Sequence, residues 1–142
     1  MKIASWNVNS LRVRLPHVLD WLASAKPDIL VLQETKMTDD QFPEAAIREA
    51  GYEVVFNGQK TYNGVAIIAK APLEDVSVGM GGWEDEQVRV ISATVGGLRL
   101  VNVYVPNGQQ VVVICPVGVI QLTSPTSVEP PIKGGVSECG RT

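Results

Sequence analysis

Three residues stand where a strand gives out, and each carries an oxygen that could do chemistry. Asn7 follows the apolar run of Ile3, Ala4 and Trp6, with Asn9 two residues on, and Glu34 closes the run "DILVLQ". A strand that merely stops needs a turn there, not a pair of amides. An amide oxygen beside a carboxylate, aimed at a common point, makes a hard-oxygen site suited to Mg²⁺. Tyr104 ends "LRLVNVYV", just before a Pro-Asn-Gly turn, where a phenol can donate a hydrogen bond to a phosphate oxygen. Singly, each has an ordinary reading: a glutamate after a strand enters a helix or faces water, and a half-buried tyrosine packs.

The elements around these residues decide whether they can meet. Lys2 to Val8 reads as a buried strand, and Leu11, Leu15, Val18 and Leu22 recur at helical spacing, with Pro16 acceptable in a first turn. Asp28 to Gln33 is a second buried strand. A strand–helix–strand unit this compact is a right-handed crossover with parallel strands. Their C-terminal ends then share one sheet edge, the edge at which open α/β sheets bind ligands, and Asn7 and Glu34 stand there. Pro43 opens a short helix that reaches Ala50 and stops at Gly51. Strands follow at "YEVVFN", "GVAIIAK", "VRVISATV" and "LRLVNVYV", the last two joined by Gly96-Gly97, a hairpin signal. Alternation puts Leu98, Leu100, Asn102 and Tyr104 on one face. The fold class is α/β, a mixed sheet with antiparallel parts and flanking helices.

Composition sets the outer bounds. The 142 residues, 45% apolar and 19% charged, fit one ordinary folded domain rather than a disordered chain. No apolar run approaches the roughly 18 residues that span a bilayer, and Met1-Lys2 leads straight into a strand rather than a signal-peptide layout; the expectation is a cytoplasmic protein without a membrane partner. Cys115 and Cys139 have neither metal-ligand spacing nor a disulfide framework. A net charge of −3 disfavours a polyanion binder held by bulk charge. It permits an enzyme that meets DNA locally and holds metal with carboxylates. His17 falls in the first helix pattern and is read as structural or exposed.

Four stretches, "SWNVNSLR", "ILVLQETK", "FPEAAIREAGYEVVFNGQKTYNGVAII" and "LVNVYVPNG", in this order and spacing resemble the exodeoxyribonuclease III family of the endonuclease/exonuclease/phosphatase superfamily. The resemblance covers residues 1–109, which it makes the N-terminal half of that domain. It implies a four-layer α/β sandwich, two sheets face to face with helices outside, each half contributing one sheet. It makes Asn7 and Glu34 metal ligands for Mg²⁺ (or Mn²⁺), Asn9 a partner standing behind those ligands, and Tyr104 the catalytic tyrosine on the phosphate. The implied substrate is double-stranded DNA, abasic or 3′-damaged, hydrolysed 5′ to abasic sites and at duplex 3′ ends by a monomer. Arg12, Lys36, Gln59-Lys60 and Tyr62-Asn63 are the candidate DNA contacts, though each singly is an ordinary loop residue. Residues 81–89, "GGWEDEQVR", resemble a family loop beside the DNA, without assigned members.

Residues 110–142 form an unmatched tail rich in valine, proline, serine and threonine. Within it only Val111 to Ile114 are expected to form regular structure, as a strand beside Leu98–Val105 or another exposed edge. A genuine extension that caps the sheet, a changed reading frame after Gln109, and a disordered segment are the alternatives. The resemblance also implies an aspartate general base in a Gly-Asp-x-Asn strand end and a Ser-Asp-His run. No aspartate follows Asp85, and His17 is the only histidine. The expectation is therefore a truncated chain, inactive alone, whose single sheet leaves an apolar inner face without a partner. Two other functions stay open: an inactive fragment or weak DNA-binding module, and a superfamily phosphoesterase acting on a non-DNA substrate.

Overall fold

A computed structural model describes residues 1–79 and 88–105, together with the backbone of three further strands at 110–115, 118–123 and 136–138. The loop residues 81–87 lie outside the described residues. In chain order the elements are β1 (Lys2–Asn7), α1 (Leu11–Ala25), β2 (Ile29–Gln33), a 3₁₀ turn (Asp39–Gln41), α2 (Glu44–Glu49), β3 (Glu53–Asn57) and β4 (Val65–Ala69). Then come β5 (Glu74–Val78), β6 (Val90–Val95), β7 (Leu98–Val103), β8 (Gln110–Cys115), β9 (Gly118–Thr123) and β10 (Val136–Glu138).

A five-stranded sheet runs in the order β10-β1-β2-β4-β3, and a three-stranded sheet in the order β5-β6-β7. The expected crossover is present: β1 and β2 are parallel, with Asn7 opposite Gln33. β4 is antiparallel to both β2 and β3. Apolar residues run almost unbroken through β1, β2 and β4 because those strands are covered on both faces. Ala4, Trp6, Leu30, Leu32, Ala66 and Ile68 pack against Leu11, Val18, Trp21 and Leu22 of α1 and Ile47 of α2. On the other face Ile3, Ile29, Val31, Val65, Ile67 and Ala69 pack against Ile91, Ala93, Val95 and Leu100 of the second sheet. Helices, sheet and sheet thus stack as three layers of an α/β sandwich.

Four expectations need correction. The inner face of the first sheet is not left bare: β6 and β7, from the same stretch of chain, cover it. Alternation identifies an apolar face but does not say which strands will cover it. Pro16 is the sixth residue of α1 rather than a first-turn residue. It removes a hydrogen bond to the Arg12 carbonyl, and both residues lie on the helix's exposed side, where water can reach that group. β5 adds a strand that the sequence pattern does not announce, because all five of its residues are exposed and carry no alternation. Finally, regular structure in the tail extends beyond Val111–Ile114. β8 contains those residues and runs close beside β7, but it pairs antiparallel with β9, and β10 adds to the edge of β1.

Candidate active site

The parallel pairing of β1 and β2 brings their two following loops side by side, and backbone bonds lace them together. Val8 N–H donates to the Gln33 carbonyl (3.0 Å), Ser10 N–H to that of Glu34 (2.8 Å), and Leu11 N–H to that of Thr35 (3.0 Å). A third loop joins from before β4: Thr35 N–H donates to the Gly64 carbonyl (3.2 Å) and Lys36 N–H to that of Asn63 (2.9 Å). Gly64 N–H in turn donates to the Val88 carbonyl at 3.0 Å, tying in the start of β6. The sequence motifs around Asn7, Glu34 and Asn63 are therefore the three strands of one knot.

That knot is conformationally strained. Of the eight non-glycine residues with positive φ among the described residues, six belong to it: Asn9, Ser10, Glu34, Lys36, Thr61 and Asn63. Each such residue costs about 1–3 kcal/mol and persists only where its surroundings over-determine it. At Glu34 the consequence is directional. Ile29, Val31 and Gln33 face the second sheet, so a regular strand would turn Glu34 toward the helices. The left-handed φ of 55° at Glu34 breaks that alternation.

The carboxylate consequently meets Tyr104. Its phenol donates to Glu34 Oε1 at 2.6 Å across 70 residues of sequence. Burial, then the hydrogen bond to Glu34, then the Glu34 charge push the Tyr104 hydroxyl up to about 12, while Arg89 opposes them. The phenol stays protonated, and a donor, throughout the neutral range. Asn7 Oδ1 accepts the Asn9 backbone N–H at 3.1 Å, and Asn9 Oδ1 accepts from the Lys36 ammonium at 2.6 Å. Asn9 thus partners Asn7 through its backbone and uses its side chain to hold a cation.

The donor set fits a hard divalent ion in part. Asn7 Oδ1 keeps a second lone pair, and Glu34 keeps Oε2 after Tyr104 takes Oε1. Two oxygens are fewer than the roughly six that Mg²⁺ requires, leaving several positions to water and phosphate. Among the described residues no cluster of three His, Cys, Asp or Glu side chains could hold a metal alone.

Of the other sequence candidates, Asn63 lies in the knot, its Nδ2 donating to Gln59 Oε1 at 2.9 Å. Gln59 also accepts from Val88 N–H at 3.2 Å, so it is a loop brace. Lys60 is exposed on the same loop, as is Tyr62 at 67%. Arg12 turns to Gln41 Oε1 at 2.9 Å. His17 is exposed on α1. Reading the sequence for reactive oxygens passed over Ser5, Gln33 and Asn102, all buried beneath the site. The available signal was a polar side chain at an inward position of an otherwise apolar alternation.

The model of the Endonuclease/Exonuclease/phosphatase family matches residues 4–131. The exodeoxyribonuclease III of Haemophilus influenzae is 37% identical over 115 residues, covering 77% of this chain and 43% of that protein. The DNA repair nuclease APEX1 of Danio rerio is 37% identical over 116 residues, covering 78% of this chain and 37% of the relative. The chain therefore spans less than half the length of these curated relatives. Among solved structures, the 3′ phosphatase NExo from Neisseria, bound to a product DNA hairpin, superposes with a TM-score of 0.74 at 54% identity, over 78% of this chain and 43% of that one. An AP endonuclease from Archaeoglobus fulgidus gives 0.73 at 47% identity, with the same shares of the two chains.

Proposed function

The chain belongs to the endonuclease/exonuclease/phosphatase family, and from that premise we propose that it carries the metal-binding half of a DNA repair nuclease of the exodeoxyribonuclease III type. The substrate is duplex DNA, cut 5′ to abasic sites and trimmed at damaged 3′ ends. The single observation that carries this reading is the meeting of Tyr104 with Glu34 at 2.6 Å, at the strand-end edge that Asn7 shares.

Each residue has a part. Asn7 and Glu34 would hold Mg²⁺ or Mn²⁺. Such an ion, when bound, neutralises charge on the phosphate and eases departure of the leaving oxygen. The Tyr104 hydroxyl has one proton, held by Glu34 in the structure, and would turn it to a phosphate oxygen when DNA binds. Lys36, held by Asn9, offers a positioned charge to the DNA backbone, with Arg12, Lys60 and Asn63 on neighbouring loops. Residues 1–109 make up this half-domain. The general base and the Asp-His pair have no counterpart after Asp85, and general-base help alone is worth roughly 10²–10⁴-fold. The isolated polypeptide is accordingly a poor catalyst.

Nicking of an abasic-site duplex, with and without Mg²⁺, tests the reading when the chain is measured alone and after mixing with the second half of a family member. Alone it should turn over little. Mixed, it should regain Mg²⁺-dependent cleavage that falls steeply in Glu34→Gln and in Tyr104→Phe. A complemented protein that folds cooperatively yet cleaves neither abasic nor 3′-phosphate DNA refutes the proposal. Release of phosphate from a non-nucleotide ester instead moves the substrate class.

A further inference from the structure

The interface between the two sheets is apolar along most of its length, and then changes character. Ser5, Gln33 and Asn102 are no more than 1% exposed there. They form one layer directly beneath the site: Ser5 lies two residues before Asn7, Gln33 one before Glu34, and Asn102 two before Tyr104. Leucine or methionine would fill the same volume without asking for hydrogen bonds, so close packing alone does not account for a polar layer.

The layer is fully connected. Asn102 Nδ2 donates to the Leu32 carbonyl at 2.8 Å and to the Ala66 carbonyl at 2.9 Å. Leu32 and Ala66 are opposite one another across β2 and β4, so a single amide from β7 bridges two strands of the first sheet. Asn102 Oδ1 accepts from Gln33 Nε2 at 2.9 Å, and Gln33 Nε2 also donates to Ser5 Oγ at 3.0 Å, carrying the connection to β1. Apolar contacts are non-directional and let facing sheets slide. A slide of one residue is about 3.3 Å, enough to separate the Tyr104 hydroxyl from Glu34. Directional bonds to backbone carbonyls permit only one register.

We propose that Asn102 and Gln33, with Ser5, are positioning residues: a buried amide clamp that locks β7 against β1, β2 and β4 and thereby sets Tyr104 and Glu34 at working distance. The clamp touches neither metal nor substrate and acts through the backbone it grips. Its metal-binding consequence rests on the function proposed above, whereas its geometric consequence does not.

The test uses the full chain, with Asn102→Leu and Gln33→Met as variants and Leu30→Ala, on the helix-facing side of β2, as an equally destabilised control. The metal-free measurement is amide hydrogen exchange by NMR at Thr35, Lys36 and Tyr104 relative to Leu32 and Ile67. The clamp variants should speed exchange at the first group about tenfold against the second. The control should leave that ratio within about twofold. The second measurement is Mn²⁺ affinity by electron paramagnetic resonance, which should weaken about tenfold in the clamp variants and stay unchanged in the control. Folded variants with unaltered exchange ratios, or a control that shifts equally, overturn the clamp. So does failure of both variants to fold, which assigns the layer to folding itself. Wild-type protein that binds no Mn²⁺ defeats the proposed metal site, and the exchange ratios still decide the clamp.

Discussion

Gly64→Ala should be among the most damaging single-methyl additions to this protein, and the cost can be divided in advance. The φ of Gly64 is +92°, and an added Cβ would lie 2.0 Å from Thr35 Oγ1 and 3.3 Å from both Lys36 N and Thr35 Cβ. The backbone strain contributes about 1–3 kcal/mol. The overlap contributes a further 1–3 kcal/mol or so, as overpacking does in tight interiors. Thr35→Ala removes the clashing oxygen. On its own it should be close to neutral, because that hydroxyl is buried without a described partner, and relieving it by about 1–3 kcal/mol offsets the roughly 1 kcal/mol lost with the methyl group. In the Thr35→Ala background, Gly64→Ala should cost the strain and the two remaining 3.3 Å contacts but not the 2.0 Å overlap. A double-mutant cycle by urea denaturation should therefore return a coupling of about 1–3 kcal/mol between the two positions. A Gly64→Ala protein as stable as wild type, or a coupling below about 0.5 kcal/mol, would refute the close approach of these loops.

Three shorter expectations accompany it. The Tyr104 hydroxyl, raised from 10.0 to about 12, stabilises the fold fully below pH 10, and that share is lost as pH rises through about 12. The shift corresponds to at most about 2.7 kcal/mol and to roughly half that once water screens a half-buried pair. Wild type should therefore lose more stability than Tyr104→Phe between those two pH values, and parallel urea midpoints for the two proteins would count against the burial of this hydroxyl beside Glu34. Leu30→Ala, at a fully buried position between β2 and the helices, should cost about 2–5 kcal/mol by denaturation; a loss under about 1 kcal/mol would mean that this core is loosely packed. His17→Ala should change stability by less than about 0.5 kcal/mol and leave Mn²⁺ affinity intact, and a large loss of affinity would place the metal elsewhere.

How much of this was legible in the sequence depended on whether a residue's role is written in its own neighbourhood. The parallel pair β1–β2 was legible because both strands are apolar on both faces and flank one helix. The inward face of Tyr104 followed from simple alternation through Leu98, Leu100 and Asn102. The left-handed turn at Glu34 was not legible, because it is imposed by backbone partners from the loop after β1 and the loop before β4. Nor did alternation say why Asn102 interrupts an apolar face: its partners, Leu32, Gln33 and Ala66, stand far away in sequence. In the tail, Pro116-Val117 between two β-branched runs carries none of the Asn-Gly or Gly-rich pairs that mark a two-residue hairpin, and β10 is three residues long, too short for any pattern.

The 70-residue reach from Glu34 to Tyr104 also fixes when the site can exist. Asn7 and Glu34 leave the ribosome early. At about 5–20 residues per second, the 70 intervening residues occupy a further 4–14 s or so before Tyr104 follows. Closing a loop of that length costs on the order of 4 kcal/mol in chain entropy, recovered only as the apolar faces of the two sheets come together. If Asn7 and Glu34 hold a metal as proposed, its affinity would report the docking of the second sheet rather than the first steps of folding: a chain that has built only β1, α1 and β2 carries both residues without the Tyr104 partner.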